Sequence, residues 1–137
     1  HLPLWAEHQA QRSTPFTPAT NALLALHQAL IELSAQGGWR ARRARYRKLA
    51  KVVRRTLEEF GVHPYIDAGD SSCVLRSYGL PSGITYEQLH DGLKQRGFVI
   101  YAGQGQLAEE MFRISTMGDI THYDMERLLA AIHEVFS

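Results

Sequence analysis

The sequence predicts an α+β fold, in which a small, roughly three-stranded and mostly antiparallel sheet carries helices packed on one face. Two long stretches with helical periodicity come first, and each ends at a glycine. Short runs rich in β-branched and aromatic residues follow, with glycines between them. The 137 residues suggest one domain, and a hydrophobic content of 45% is enough for its core.

Charge and cysteine content argue against several classes of protein. A net charge of +1 gives no global case for a nucleic-acid, membrane or acidic partner. The single cysteine, Cys73, rules out an internal disulfide and fits the reducing cytoplasm. No apolar run approaches the roughly 20 residues that span a bilayer, and no signal-peptide pattern is present. Because the chain starts at His1 and not at a methionine, we expect it to be a piece of a longer protein.

The first helix is predicted over Thr17–Gln36, after an N-terminal arm or interdomain linker at residues 1–16. Thr17 is a preferred N-cap residue, Pro18 suits the first helical position, and Gly37 follows the last turn. Free backbone N–H groups, the positive end of the helix dipole and two threonine hydroxyls would meet at this helix start. Such a start either binds a phosphate group or is a well-capped helix without a ligand, and the residues by themselves favour the second interpretation.

A second helix is predicted over Trp39–Phe60, and the glycine pair before it suggests an antiparallel helical hairpin. This helix carries a basic run, which is typical either of a nucleic-acid or phosphate surface or of a solvated helix face. Aromatic interleaving, zinc-ligand spacing and a helix-turn-helix pattern are missing, so the solvated face is favoured and no nucleic-acid partner is predicted. The run consists of Arg40, Arg42, Arg43, Arg45, Arg47, Lys48, Lys51, Arg54 and Arg55.

The middle of the chain changes from helical to strand patterns. An extended piece at Val62–Ile66 precedes a strand predicted at Cys73–Tyr78. Thr85 and, three residues later, Gln88 form a capping-box pattern, which opens a helix that ends before Gly97.

Two further strands, Phe98–Tyr101 and Met111–Ser115, are predicted to form a hairpin with a glycine-rich loop. The loop Gly103–Ala108 satisfies the dinucleotide-binding fingerprint in form, but that motif must open a long helix, and here a strand follows too soon. Thr121 with Asp124 resembles a capping box and starts the final helix.

Arg113 is the candidate anion-binding residue of the sequence. Alternation along its strand places it on the face opposite Phe112 and Ile114. A buried arginine needs an anionic partner, and its planar guanidinium binds a carboxylate or phosphonate through two parallel hydrogen bonds. The alternative is an arginine on an edge strand in water. No nucleophile–base pair is present, and no metal site is predicted because metal-ligand spacing is missing around His27, His63, His90, His122 and His133.

Four stretches carry, in this order, a resemblance to a known family: Thr17–Leu26, Gly37–Tyr46, Leu93–Gly103 and Phe112–Ile114. They combine Thr-Pro-x-Thr at a helix start, a glycine pair followed by arginines, a helix end that leads into a buried strand, and an arginine between apolar residues. The chain thereby resembles the C-terminal part of fold-type I, class V aminotransferases, over nearly its whole length from about Trp5. Within the family, it is most similar to members that transfer the amino group of 2-aminoethylphosphonate to pyruvate.

The resemblance implies that residues 17–137 are the C-terminal small domain of an enzyme that depends on pyridoxal 5'-phosphate. It implies that Arg113 binds the substrate carboxylate, and that Thr17, with backbone N–H groups near Thr20, binds the cofactor phosphate, typically in the neighbouring subunit. It further implies a large N-terminal domain, which carries the Schiff-base lysine, and a homodimer with the active site at its interface.

No lysine of this chain suits the Schiff-base role, so we expect the chain by itself to be inactive. Two alternatives stay open. One is a class V relative with another amino donor, and the other is a non-catalytic binding module that uses the basic helix 39–60.

Overall fold

The computed structural model describes residues 1–67 and 69–137. This part of the chain forms two compact units, His1–Trp39 and Arg40–Ser137. Among the described residues, no helix combines the length and the apolar character needed to cross a bilayer. The elements are α1 (Leu2–Ala10), α2 (Thr20–Ala35), α3 (Gly38–Glu59), β1 (Leu75–Gly79), α4 (Tyr86–Gln95), β2 (Tyr101–Ala102), β3 (Met111–Ser115) and α5 (His122–Phe136), with a short 3₁₀ helix at Gly105–Glu109.

The first unit contains α1 and α2. The sequence pattern predicted no helix in the N-terminal arm, but residues 2–10 form α1. Pro3 lies in the first turn of this helix, where its missing N–H would have no intrahelical partner. More than half of the surface is exposed in each of four leucines of α2: Leu23, Leu24, Leu26 and Leu30.

The sheet of the second unit has the order β1–β3–β2, and both neighbouring pairs are antiparallel. The predicted α+β fold is thereby confirmed, and β3 has the predicted bounds. The segment predicted as extended at Val62–Ile66 is so only in part, because residues 65 and 66 form a bend. Its Tyr65 N–H donates to the Ser77 carbonyl at 2.9 Å, and Pro64 forms an isolated bridge with Tyr78 of β1.

The strand predicted at Phe98–Tyr101 is wrong for its first three residues, since β2 contains only residues 101 and 102. Gly97, with φ 89°, ends α4 in the left-handed conformation. The Phe98 N–H then donates to the Leu93 carbonyl at 3.0 Å, and the Gly97 N–H to the Lys94 carbonyl at 2.9 Å. These two bonds form a Schellman C-cap, so the chain must leave the helix end before it can pair with β3.

Both predicted capping boxes are present. The Gln88 N–H donates to the Thr85 hydroxyl at 3.3 Å, and the Thr85 N–H donates to the Gln88 side chain at 2.9 Å. The Asp124 carboxylate accepts from the Thr121 N–H at 2.9 Å and from its hydroxyl at 2.6 Å. Both bonds lower the pKa of Asp124, and the bond from the Thr121 hydroxyl has the larger effect. The caps fix where α4 and α5 begin.

The core lies between one face of the sheet and helices α3, α4 and α5. Tyr78 and Phe112, directly opposite each other on β1 and β3, stack with ring centroids 5.7 Å apart and are almost completely buried. The same core cluster contains seven buried helix side chains: Val53, Leu57, Leu89, Leu93, Met125, Leu128 and Ile132. Within the described residues, α3, α4 and α5 therefore leave the opposite face of the sheet open. The predicted α2–α3 hairpin and the domain bounds at residues 1–16 and 17–137 stay predictions.

Tyr78 makes the stability of the fold sensitive to alkaline pH. Burial raises the pKa of its phenol from 10.0 to about 12, against the opposing positive charges of Arg76 and Arg54. The unfolded chain therefore loses this proton above about pH 10, whereas the folded chain keeps it until about pH 12. The stabilising contribution is complete below pH 10, and about 2–3 kcal/mol of it is lost as the pH rises through this window.

We expect Tyr78→Phe to remove this dependence, so that its urea midpoint declines less between about pH 10 and 12 than that of the unmodified chain. Tyr101→Phe is the matched control, because 65% of Tyr101 is exposed. Equal declines for the unmodified chain and for Tyr78→Phe would show that the phenol does not titrate differently on folding.

Candidate functional site

Arg113 lies at the centre of the sheet. It is the middle residue of β3, the central strand, with Ser77 of β1 on one side and Tyr101 of β2 on the other. The alternative of an edge-strand arginine is therefore wrong. Because side chains alternate along a strand, Arg113 projects from the face opposite Phe112, which is the face that the helices of this unit leave open.

The guanidinium of Arg113 is held at one end and free at the other. Its Nε–H donates to the Ala102 carbonyl at 2.9 Å, and the side chain is half-buried. Within the described part of the chain, its two terminal nitrogens have neither a carboxylate nor a carbonyl partner. The anchored Nε fixes the plane of the group and leaves both terminal N–H pairs to an external anion. This is the geometry that binds a carboxylate through two parallel hydrogen bonds.

Tyr86 lies within the electrostatic reach of Arg113. Its hydroxyl donates to the Ile100 carbonyl at 2.9 Å. Burial raises the pKa of Tyr86, and the positive charge of Arg113 is one of the effects that lower it again. The sequence did not indicate this role of Tyr86. The capping box at Thr85 locates the start of α4, but it does not show that Tyr86 bonds to the Ile100 carbonyl beside β2.

The predicted cap at Thr17 is wrong, because α2 begins at Thr20 with Ala19 as its N-cap. Ala19, with φ −74° and ψ 70°, is the centre of an inverse γ-turn, in which the Thr20 N–H donates to the Pro18 carbonyl at 2.8 Å. This turn breaks helical geometry after Pro18 and moves the helix start by two residues, from Pro18 to Thr20.

The delayed helix start leaves the Thr17 hydroxyl exposed and, within the described residues, without a hydrogen-bond partner. The Thr20 hydroxyl, in contrast, donates to the Pro18 carbonyl at 3.3 Å. The N–H groups of Asn21 and Ala22 in the first turn of α2 also have no acceptor among the described residues. A free hydroxyl and free first-turn N–H groups are donors that fit a phosphate group, so the residues at this helix start suit the phosphate of pyridoxal 5'-phosphate.

The three lysines of the chain offer no candidate for covalent binding of the cofactor. Lys48 and Lys51 lie on α3 and Lys94 on α4, and all three are exposed. An amine that forms an imine with the cofactor needs burial or a neighbouring positive charge in the active site. The expectation of a lysine elsewhere in the full protein stays a prediction.

The chain is similar to named aminotransferases over most of its length. It is 38% identical over 120 residues to a 2-aminoethylphosphonate–pyruvate transaminase of Bacillus cytotoxicus, which is 87% of this chain and 33% of that protein. It is 37% identical over 118 residues to the transaminase of the same name from Bacillus cereus, which is 85% of this chain and 32% of that protein. The chain thus spans about a third of the length of the curated relatives that it matches. No model of a known protein family matches it.

Solved structures share the fold. The aspartate aminotransferase of subgroup IV from Thermus thermophilus superposes with a TM-score of 0.79 and 28% identity, over 98% of this chain and 38% of that one. The alanine–glyoxylate aminotransferase of Nostoc sp. superposes with a TM-score of 0.78 at 22% identity, over 93% of this chain and 34% of that one, and shows the fold alone. The predicted resemblance to class V aminotransferases is thereby confirmed.

Proposed function

We propose that this chain is the C-terminal domain of an aminotransferase that depends on pyridoxal 5'-phosphate and moves the amino group of 2-aminoethylphosphonate to pyruvate, giving phosphonoacetaldehyde and alanine. The observation that carries the proposal is the anchored guanidinium of Arg113, whose terminal nitrogens are free on the open sheet face. The names of the relatives at 36–38% identity support the choice of both substrates.

Arg113 is the proposed substrate clamp. Both substrates are anions, because pyruvate carries a carboxylate and 2-aminoethylphosphonate carries a phosphonate. With Nε held by the Ala102 carbonyl, the terminal nitrogens of Arg113 bind the pyruvate carboxylate and also suit the phosphonate. The clamp fixes the orientation of the reacting carbon without taking part in proton transfer.

Thr17 is the proposed phosphate ligand for the cofactor, with Thr20 as an additional contact. The free hydroxyl of Thr17 and the first-turn N–H groups of α2 donate to phosphate oxygens, and the dipole of α2 favours the negative charge. When bound, pyridoxal 5'-phosphate supplies the carbonyl that exchanges the amino group and the ring that accepts electron density.

The proposal includes partners and a location. The full enzyme is a homodimer with a larger N-terminal domain, which supplies the Schiff-base lysine, so this chain by itself is inactive. The exposure of Lys48, Lys51 and Lys94 supports a lysine in another part of the protein. The single cysteine, Cys73, favours the cytoplasm.

The test is alanine formation by the full-length protein with added pyridoxal 5'-phosphate, pyruvate and one amino donor at a time. We expect 2-aminoethylphosphonate to give alanine and phosphonoacetaldehyde in equal amounts. Aspartate is the comparison donor, because a similar solved structure is an aspartate aminotransferase. Alanine from aspartate but not from 2-aminoethylphosphonate would contradict the donor, and a protein that neither binds the cofactor nor forms alanine would contradict the enzyme class.

A further inference from the structure

A second concentration of positive charge lies on the opposite side of the sheet from Arg113. On β1, Arg76 pairs with Ile114, whereas Ser77 pairs with Arg113, so Arg76 and Arg113 project from opposite faces. On the helix-covered side, Arg76 lines a cleft of about 410 Å³ together with four cations of α3, namely Arg47, Lys48, Lys51 and Arg54.

The sequence of α3 concentrates charge along this cleft. Arg43, Arg47, Lys51 and Arg54 recur at intervals of three or four residues and therefore form one stripe along the helix. The helix carries nine basic and two acidic residues, although the net charge of the whole chain is only +1. A second cleft of about 340 Å³ shares Arg47 and Arg76 with the first and is also lined by Arg43, Ser71 and Ser72.

The part of the chain that the structure describes supplies only one counter-charge to the cleft. Within the described residues, its one ion pair joins Arg54 to Glu58 at 3.6 Å, and no carboxylate lines the cleft. The Nε–H of Arg76 is buried and has no acceptor in the part of the chain that the structure describes. Burying such a donor without a partner is costly, and five cations around one cleft also repel each other. Both costs fall when an anion occupies the cleft.

We propose that the cleft between α3 and Arg76 binds a compact polyanion with two or more phosphate groups, such as inorganic diphosphate or the phosphate chain of a nucleotide. Guanidinium groups bind phosphate oxygens in pairs, and the lysines add point charges. The volume is that of a small-molecule site. Among the described residues, no aromatic side chain lines the cleft for a base to stack on, which favours a small anion over single-stranded nucleic acid. This binding does not depend on the aminotransferase activity.

The test is calorimetric titration of the full chain with inorganic diphosphate at low ionic strength. Separate titrations use ATP and adenosine, of which adenosine is the phosphate-free comparison. We expect saturable binding of diphosphate and ATP, no binding of adenosine, and a melting temperature that rises with diphosphate concentration. If ATP binds no more tightly than diphosphate, the phosphate groups alone are recognised. If ATP binds more tightly, the ligand is a nucleotide.

Variants locate the site. Arg76→Gln and Lys51→Gln should each weaken diphosphate binding about ten- to a hundredfold, the loss expected for a charged hydrogen bond. Lys51→Gln changes an exposed side chain and keeps the test valid if Arg76→Gln does not fold. Arg55→Gln is the matched control, since it removes an exposed charge of α3 that does not line the cleft, and it should change the affinity less than about twofold.

Three results would overturn the proposal. One is the absence of saturable diphosphate binding, and another is equal weakening by Arg55→Gln and Lys51→Gln, which would show a general charge effect. The third is a random DNA duplex that displaces diphosphate and binds more tightly, with a steep dependence on salt, since the helix would then be a nucleic-acid surface.

Discussion

Replacing Arg113 by lysine should raise the pyruvate concentration required for half-maximal alanine formation by about ten- to a hundredfold in the full-length enzyme. The Nε–H bond to the Ala102 carbonyl fixes the guanidinium plane, and both terminal nitrogens remain for the carboxylate. A lysine keeps the positive charge but has neither the planar fork nor the anchored geometry, so one of two parallel hydrogen bonds is lost. Steady-state rates over a series of pyruvate concentrations measure the effect.

Thr17→Ala tests the proposed binding of the cofactor phosphate separately from the proposed binding of the substrate carboxylate by Arg113. It should raise the concentration of pyridoxal 5'-phosphate needed for full activity and leave the pyruvate requirement unchanged, because the exposed Thr17 hydroxyl makes no hydrogen bond among the described residues and is free to bind phosphate. Arg113→Lys should show the reverse pattern. If Arg113→Lys changed the cofactor and pyruvate requirements equally, Arg113 would have a general structural role and the clamp would be contradicted. Circular dichroism confirms that both variants are folded.

The second large effect is expected on stability, from Gly103→Ala. A Cβ at Gly103 would lie 2.1 Å from the carbonyl oxygen and 2.6 Å from the carbonyl carbon of Leu107. The neighbour is backbone and cannot turn away. The Gly103 N–H also donates to the Met111 carbonyl at 2.9 Å, which holds this loop against β3. We expect the variant to lose about 3 kcal/mol of unfolding free energy and about 10 °C of melting temperature.

Gly79→Ala is the matched control for this prediction. Gly79 ends β1, and a Cβ there would have no neighbouring atom within 4 Å. Its melting temperature should change by no more than about 3 °C. If Gly103→Ala melts at the temperature of the unmodified chain, the hairpin loop can move aside without cost and the close contact with Leu107 does not constrain it.

Among the local features of the fold, the two capping boxes were predicted correctly because neighbouring residues decide them. Each capping box joins residues only three positions apart, Thr85 with Gln88 and Thr121 with Asp124, so the pattern contains the whole interaction. The inverse γ-turn at Ala19 is different. Its hydrogen bond to the Pro18 carbonyl competes with the expected cap at Thr17, and both conformations are compatible with the same residues.

The candidate site was predictable only in part, for a related reason. The alternation of side chains along the strand indicated that Arg113 lies on the sheet face opposite Phe112. The family resemblance indicated that Arg113 binds the substrate carboxylate. Its hydrogen bond to the Ala102 carbonyl depends on the short β2 strand, which the C-cap at Gly97 delays. The basic cleft could not be predicted from the sequence for a similar reason. Four of its cations lie on α3, but Arg76 lies on β1, which is distant in sequence.

The brevity of β2 has a consequence for behaviour at high concentration. An edge strand of two residues offers few free backbone groups to a strand of another molecule. At the other edge, the His63–Tyr65 segment already occupies carbonyl and N–H groups of β1, and its Pro64 has no N–H to donate outward. The folded sheet is therefore a poor template for strand addition between chains, and self-association through cross-β pairing would first require the unit to unfold.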